Sequence, residues 1–106
     1  MNIPEAITIS GVEYKVVVSD EPIFLNNLRA YGEIDYNKKE INIDETLQDE
    51  QGQFQTFLHE IIHGIVYDRE LDLKNDEEET IVDQISKGLY QVIKDNPEIF
   101  TEKKEE

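Results

Sequence analysis

The chain has 106 residues, no cysteine, and 25 acidic against 10 basic side chains, a formal charge of −15. That length supports one domain with a modest core, and the lack of thiols excludes disulfides, thiolate zinc sites and cysteine nucleophiles. The acid excess repels phosphate backbones, which excludes direct nucleic-acid binding; it suits solubility first and basic substrates or partners second.

Residues 1–10 lack the charged start and apolar stretch of a secretory signal, and no apolar run approaches the length of a membrane span. The expectation is a soluble cytoplasmic protein with no membrane contact. Residues 1–100 are expected to form the domain and 101–106 a disordered acidic tail.

Ile7-Thr8-Ile9 and residues 12–18 read as two strands around a turn at Ser10-Gly11. Asp20-Glu21-Pro22 interrupts that pattern. Residues 23–31 are ambiguous: Phe24, Leu25 and Leu28 allow a short helix that Gly32 would end. A second hairpin follows, Glu33-Ile34-Asp35-Tyr36 and Glu40-Ile41-Asn42-Ile43-Asp44, with Asn37-Lys38-Lys39 as its turn. Ile34, Tyr36, Ile41 and Ile43 share one face and charged residues the other, the pattern of a half-buried antiparallel sheet.

From residue 48 to residue 70 the period turns helical, with Phe54, Phe57, Leu58, Ile61, Ile62, Ile65 and Val66 as a wide apolar stripe. Gly64 inside it costs about 1 kcal/mol relative to alanine, which suggests a close neighbour at that point. A second helix starts near Asn75 or Asp76. Asn75 with Glu78 resembles a capping box, and Asp76, Glu77 and Glu79 complement the helix dipole. Ile81, Val82, Ile85, Leu89, Val92 and Ile93 supply its apolar face, and Asn96-Pro97 stops it. The fold class is α+β, a small antiparallel sheet packed on two long helices.

Both histidines of the chain lie in His59-Glu60-Ile61-Ile62-His63, in the middle of the first helix. Positions four apart on a helix differ by only about 40° and about 6 Å, so the two imidazoles project together and can grip one metal ion. Glu60, turned by about 100° from His59, reaches past the metal rather than onto it. A zinc site that works on substrate commonly takes three protein ligands, and with no third histidine or cysteine the third must be a carboxylate. An antiparallel helix pair brings Glu77, Glu78, Glu79 and Asp83 to the depth of His63. Glu79 is favoured because Asp83, four residues on and on the same face, can then accept the outer N–H of a ligating histidine. Glu78 is the rival ligand.

His59-Glu60-x-x-His63 followed by Glu79-x-x-x-Asp83 resembles the gluzincin branch of the zincin metallopeptidases. Tyr31-Gly32-Glu33-Ile34-Asp35, Ile41-Asn42-Ile43-Asp44 and the run from Gln55 to Gly64 resemble the small ImmA/IrrE-type proteins of bacteria and their phages. The resemblance implies a minimal zincin-like fold, with the first helix carrying the motif. It also implies Zn2+ on His59, His63 and Glu79, Asp83 supporting a histidine, and hydrolysis of a protein or peptide with Glu60 as general base. Where the branch often has asparagine before its third ligand, this chain has Glu78. Residues 40–44 are a candidate edge strand for an extended peptide. Tyr67 and Tyr90 are candidate oxyanion donors. A zinc-stabilised interaction module without turnover is the competing reading. An acidic mimic of DNA is the weakest. The substrate and the oligomeric state carry no signature.

Overall fold

Alternation in Val12-Glu13-Tyr14-Lys15-Val16 turns Tyr14 and Val16 to one face, where both are buried beneath the first helix of the chain. This computed structural model describes residues 2–100, and the expected tail at 101–106 lies outside them. Strands β1 (Ala6–Ile9) and β2 (Val12–Ser19) form the first hairpin around Ser10 and Gly11, both with positive φ. Strands β5 (Gly32–Asp35) and β6 (Glu40–Asp44) form another, with Ile34 opposite Ile41. The Asp35 carboxylate caps its turn by accepting the backbone N–H groups of Asn37 and Lys38, each at 3.0 Å.

The two hairpins join through a parallel pairing of β2 with β6, which gives the order β1-β2-β6-β5. The sheet is therefore mixed, a correction to the expected antiparallel one. Turn chemistry specifies pairing inside a hairpin, whereas pairing between hairpins leaves no local mark. A parallel pair needs a crossover. Residues 20–39 make it, and within them β3 (Ile23–Leu25) and β4 (Leu28–Ala30) form a separate small hairpin. Asn26 and Asn27 both take positive φ, a tight two-residue turn that asparagine tolerates, so this ambiguous stretch is a hairpin and not a helix. β6 is an interior strand. The expected edge at residues 40–44 is thus overturned, and β5 is the edge on that side of the sheet.

Helix α1 (Glu50–Asp68) starts at Asp49, whose side chain accepts from the Gly52 N–H at 2.8 Å. It packs on β1, β5 and β6, with Phe57 joining Ile9, Tyr14, Val16, Ile41 and Ile43 in the main core. A Cβ on Gly64 would sit 2.9 Å from Ile9 Cδ1 and 3.1 Å from Ile34 Cδ1. The glycine lets the sheet close onto the helix beside His63.

Helix α2 (Asn75–Asp95) packs on α1 through Ile62, Val66 and Val82. Its cap position is Lys74, with no side-chain bond, so the expected Asn75–Glu78 capping box does not form. Asn75 is already helical, and Glu78 is drawn to His63 instead. The inward residues of α2 are Val82, Ser86 and Tyr90, while Ile81, Ile85 and Val92 are 39%, 52% and 48% exposed. The apolar stripe is wider than the one neighbouring helix can cover. Among the described residues, no helix is long and apolar enough to cross a membrane.

Candidate metal centre

Positions 59, 60 and 63 fall near the middle of α1, where the helix lies between the sheet and α2. The helical period divides them. His59 and His63 turn towards α2 and stay partly open, with side chains 18% and 13% exposed, while Glu60 is buried. Across the gap, Glu79 on α2 places Oε1 2.9 Å from His59 Nε2 and Oε2 3.1 Å from His63 Nε2. The two Nε2 atoms are 3.1 Å apart. His59, His63 and Glu79 form a group that could hold a metal ion.

The outer ring nitrogens explain why that group suits a cation. His63 Nδ1 lies 2.7 Å from Glu78 Oε2, a distance at which Nδ1–H donates to the carboxylate. His59 Nδ1 is 3.7 Å from Asp83 Oδ1, an electrostatic contact beyond hydrogen-bond length, while the other oxygen of Asp83 accepts from Lys87 Nζ at 2.9 Å. Glu78 favours the proton of His63 on Nδ1, which frees its Nε2 lone pair, and in the matching tautomer of His59 both Nε2 atoms and the Glu79 carboxylate converge on one point that a cation can occupy. Ligands about 2.1 Å from a tetrahedral ion stand roughly 3.4 Å apart, close to the spacings here. The donor set fits a small divalent ion.

At the metal site, sequence reasoning treated Glu78 as a rival to Glu79, and elsewhere as half of a capping box. In the structure the two neighbours do different work: Glu79 reaches the inner nitrogens, and Glu78 holds the outer one of His63. Among three adjacent glutamates nothing local separates those roles; only the rotation of α2 against α1 does.

Glu60 is 7% exposed, and no hydrogen bond or ion pair to its carboxylate forms among the described residues. Burial pushes its pKa up to about 7, the charges of Glu79 and Glu33 add to the rise, and His63 opposes it. Strand β5 approaches this carboxylate at Gly32, where a Cβ would lie 3.6 Å from Glu60 Oε2 and 2.5 Å from Thr56 Cγ2. Any side chain at 32 would force the edge strand away from the helix.

Tyr36 is a second residue that sequence reasoning did not assign to the site. Its hydroxyl donates to the His63 carbonyl at 3.1 Å, and its ring stacks on Tyr67 with centroids 3.8 Å apart. Burial, with the charges of Glu78 and Glu60, raises its pKa, so it stays a donor. The oxyanion candidates fare differently. Tyr67 is exposed and engaged with Tyr36, and Tyr90 is buried near Phe54, away from the site. Neither lines the cleft.

The cleft itself measures about 890 Å³. Helix α1 forms its floor, β5 and α2 its walls, and the β3–β4 hairpin closes one end with Leu25 and Ala30. Its lining is acidic, with Glu33, Asp49, Glu60, Glu78, Glu79 and Asp83 against a single lysine, Lys87. No family model, curated protein or solved structure matches the chain, so the chemistry of the site is argued from its own geometry.

Proposed function

We propose that the chain is a minimal zincin-like metallopeptidase that uses Zn2+ on His59, His63 and Glu79. What supports this most is the convergence of His59, His63 and Glu79 on one point beside a buried carboxylate that has no hydrogen bond among the described residues. When bound there, zinc supplies a Lewis acid and a water of lowered pKa. The residues of the chain do the rest. Glu60, with a pKa near 7, takes a proton from the attacking water and returns it to the leaving amine. Glu78 and Asp83 orient the two imidazoles, and the Tyr36 hydroxyl steadies the helix backbone at His63.

The open edge of β5 offers a place for an extended substrate. Asp44 N–H donates to Tyr31 C=O at 2.9 Å, so in the antiparallel alternation residues 31, 33 and 35 bond to β6. Gly32 and Ile34 then turn their N–H and C=O groups outwards, along the cleft. A peptide added as a further strand would pass beside Glu60.

The competing reading, a zinc-stabilised module without turnover, leaves Glu60 unexplained, because a structural acid would be bonded or replaced. Metal analysis and peptide hydrolysis test the proposal together. The parent is expected to carry one zinc per chain, lost in His63→Ala and Glu79→Ala and retained in Glu60→Gln, with hydrolysis lost in all three. Retained hydrolysis in Glu60→Gln would remove it as the base.

A further inference from the structure

The six acidic residues that line the cleft are not equally free. On the reading above Glu79 holds metal and Glu60 handles the proton. Glu78 accepts from His63, Asp83 is paired with Lys87, and Asp49 caps α1. Among the described residues Glu33 alone has no such commitment: its contact is Asn42 Nδ2 at 3.2 Å, a neutral donor that leaves its charge uncompensated. Glu60, 7% exposed and without a hydrogen bond among the described residues, opens onto the same cleft.

Register then assigns Glu33 a place. Gly32 and Ile34 direct their backbone groups to an incoming strand, so position 33 falls in a non-hydrogen-bonded pair with it. There the Cα atoms approach to about 4.5 Å and the two side chains lie on the same face. A lysine or arginine opposite Glu33 meets an uncompensated carboxylate. An aspartate or glutamate there meets like charge in a cleft with one cation.

We infer that Glu33, on the open edge of β5, makes this site select extended peptides that place a lysine or arginine side chain directly opposite it. The inference rests on the peptidase reading and adds the substrate class to it.

Zinc-loaded Glu60→Gln protein, which binds without cutting, is titrated with two labelled alanine–serine peptides that differ only in a central lysine or a central glutamate. Fluorescence anisotropy reads binding, and mass spectrometry reads the sites at which the parent protein cuts a random peptide mixture. The lysine peptide is expected to bind about twofold to fivefold tighter, the range of a cross-strand ion pair. Adding Glu33→Gln should erase that preference and Glu33→Lys should reverse it, with zinc content and thermal midpoint unchanged. A preference that survives Glu33→Gln, or equal binding of the two peptides, overturns the inference. Cleavage with no cationic bias overturns it too and leaves the peptidase standing. Failure of both peptides to bind, with no cleavage of the mixture, removes the peptidase reading and this inference with it.

Discussion

Asp44 and Glu60 are both buried carboxylates, at 0% and 7% exposure, and their surroundings treat them in opposite ways. Asp44 accepts the Thr46 hydroxyl at 2.6 Å, the Thr46 N–H at 2.8 Å and Arg29 Nη2 at 3.0 Å. The Thr46 hydroxyl leads in holding its carboxyl below the usual range, with the Thr46 backbone and Arg29 behind it. Glu60 has no such donors, and burial drives it upwards. A buried acid that closes a strand end is bonded on every side, because leaving it bare costs free energy for no return. A buried acid left bare in a cleft is the kind of local violation that function explains.

Four measurements sharpen or break that contrast. The largest effect is on turnover: Glu60→Gln should lower peptide hydrolysis by about 10²- to 10⁴-fold, the usual share of a general base, with zinc content unchanged. The same substitution should stabilise the metal-free protein at pH 8. A carboxyl raised from 4.5 to about 7 in the folded state binds its proton more tightly there than when unfolded. Stability is therefore full below pH 4.5, falls between pH 4.5 and pH 7, and stays low above. The difference amounts to about 3 kcal/mol at pH 8 and vanishes near pH 4, and urea melts of parent and variant across that range measure it. Equal pH dependence in the two proteins would show that Glu60 is bonded after all.

Glu78→Ala should weaken zinc affinity by about 10- to 100-fold through the loss of His63 orientation, less than the loss on removing the Glu79 ligand; competition with a chelating dye ranks the two. Asp44→Asn should give the smallest change, a thermal midpoint lowered by a few degrees at neutral pH. Because the folded-state pKa of Asp44 is depressed, its contribution is present above the unfolded value of 3.8 and is lost as pH falls through the folded one. The gap between parent and Asp44→Asn should close in acid, opposite in direction to the Glu60 pair.

The parts of this architecture legible in the sequence are those with local causes. Helical period placed His59, Glu60 and His63 on α1, and turn residues placed both main hairpins, because period and turn chemistry act within a few positions. The choice of Glu79 rested on helix depth and pairing, and the structure brings it to both imidazoles. Long-range relations were not legible. The β2–β6 pairing joins strands separated by the whole crossover, and it alone demotes residues 40–44 from edge to interior. The exposure of Ile81 and Ile85 and the separate tasks of Glu78 and Glu79 depend on how α2 rolls against α1. The Asn26-Asn27 turn was local and was still missed, because Phe24, Leu25 and Leu28 also fit a helical spacing.

That crossover has a consequence for how such a protein can diverge. The three residues that could hold a metal ion, their neighbouring acids and Glu60 lie on one helical hairpin, between residues 59 and 83. The wall that would meet a substrate is laid down earlier, by β3, β4 and β5, in an excursion between two paired strands. If the proposed function holds, reactivity and choice of target are written largely in separate stretches of chain. On the proposed reading, residues 20–31 and 33–35 can be rewritten to change what enters the cleft while the helical hairpin, Gly32 and Tyr36 are inherited untouched.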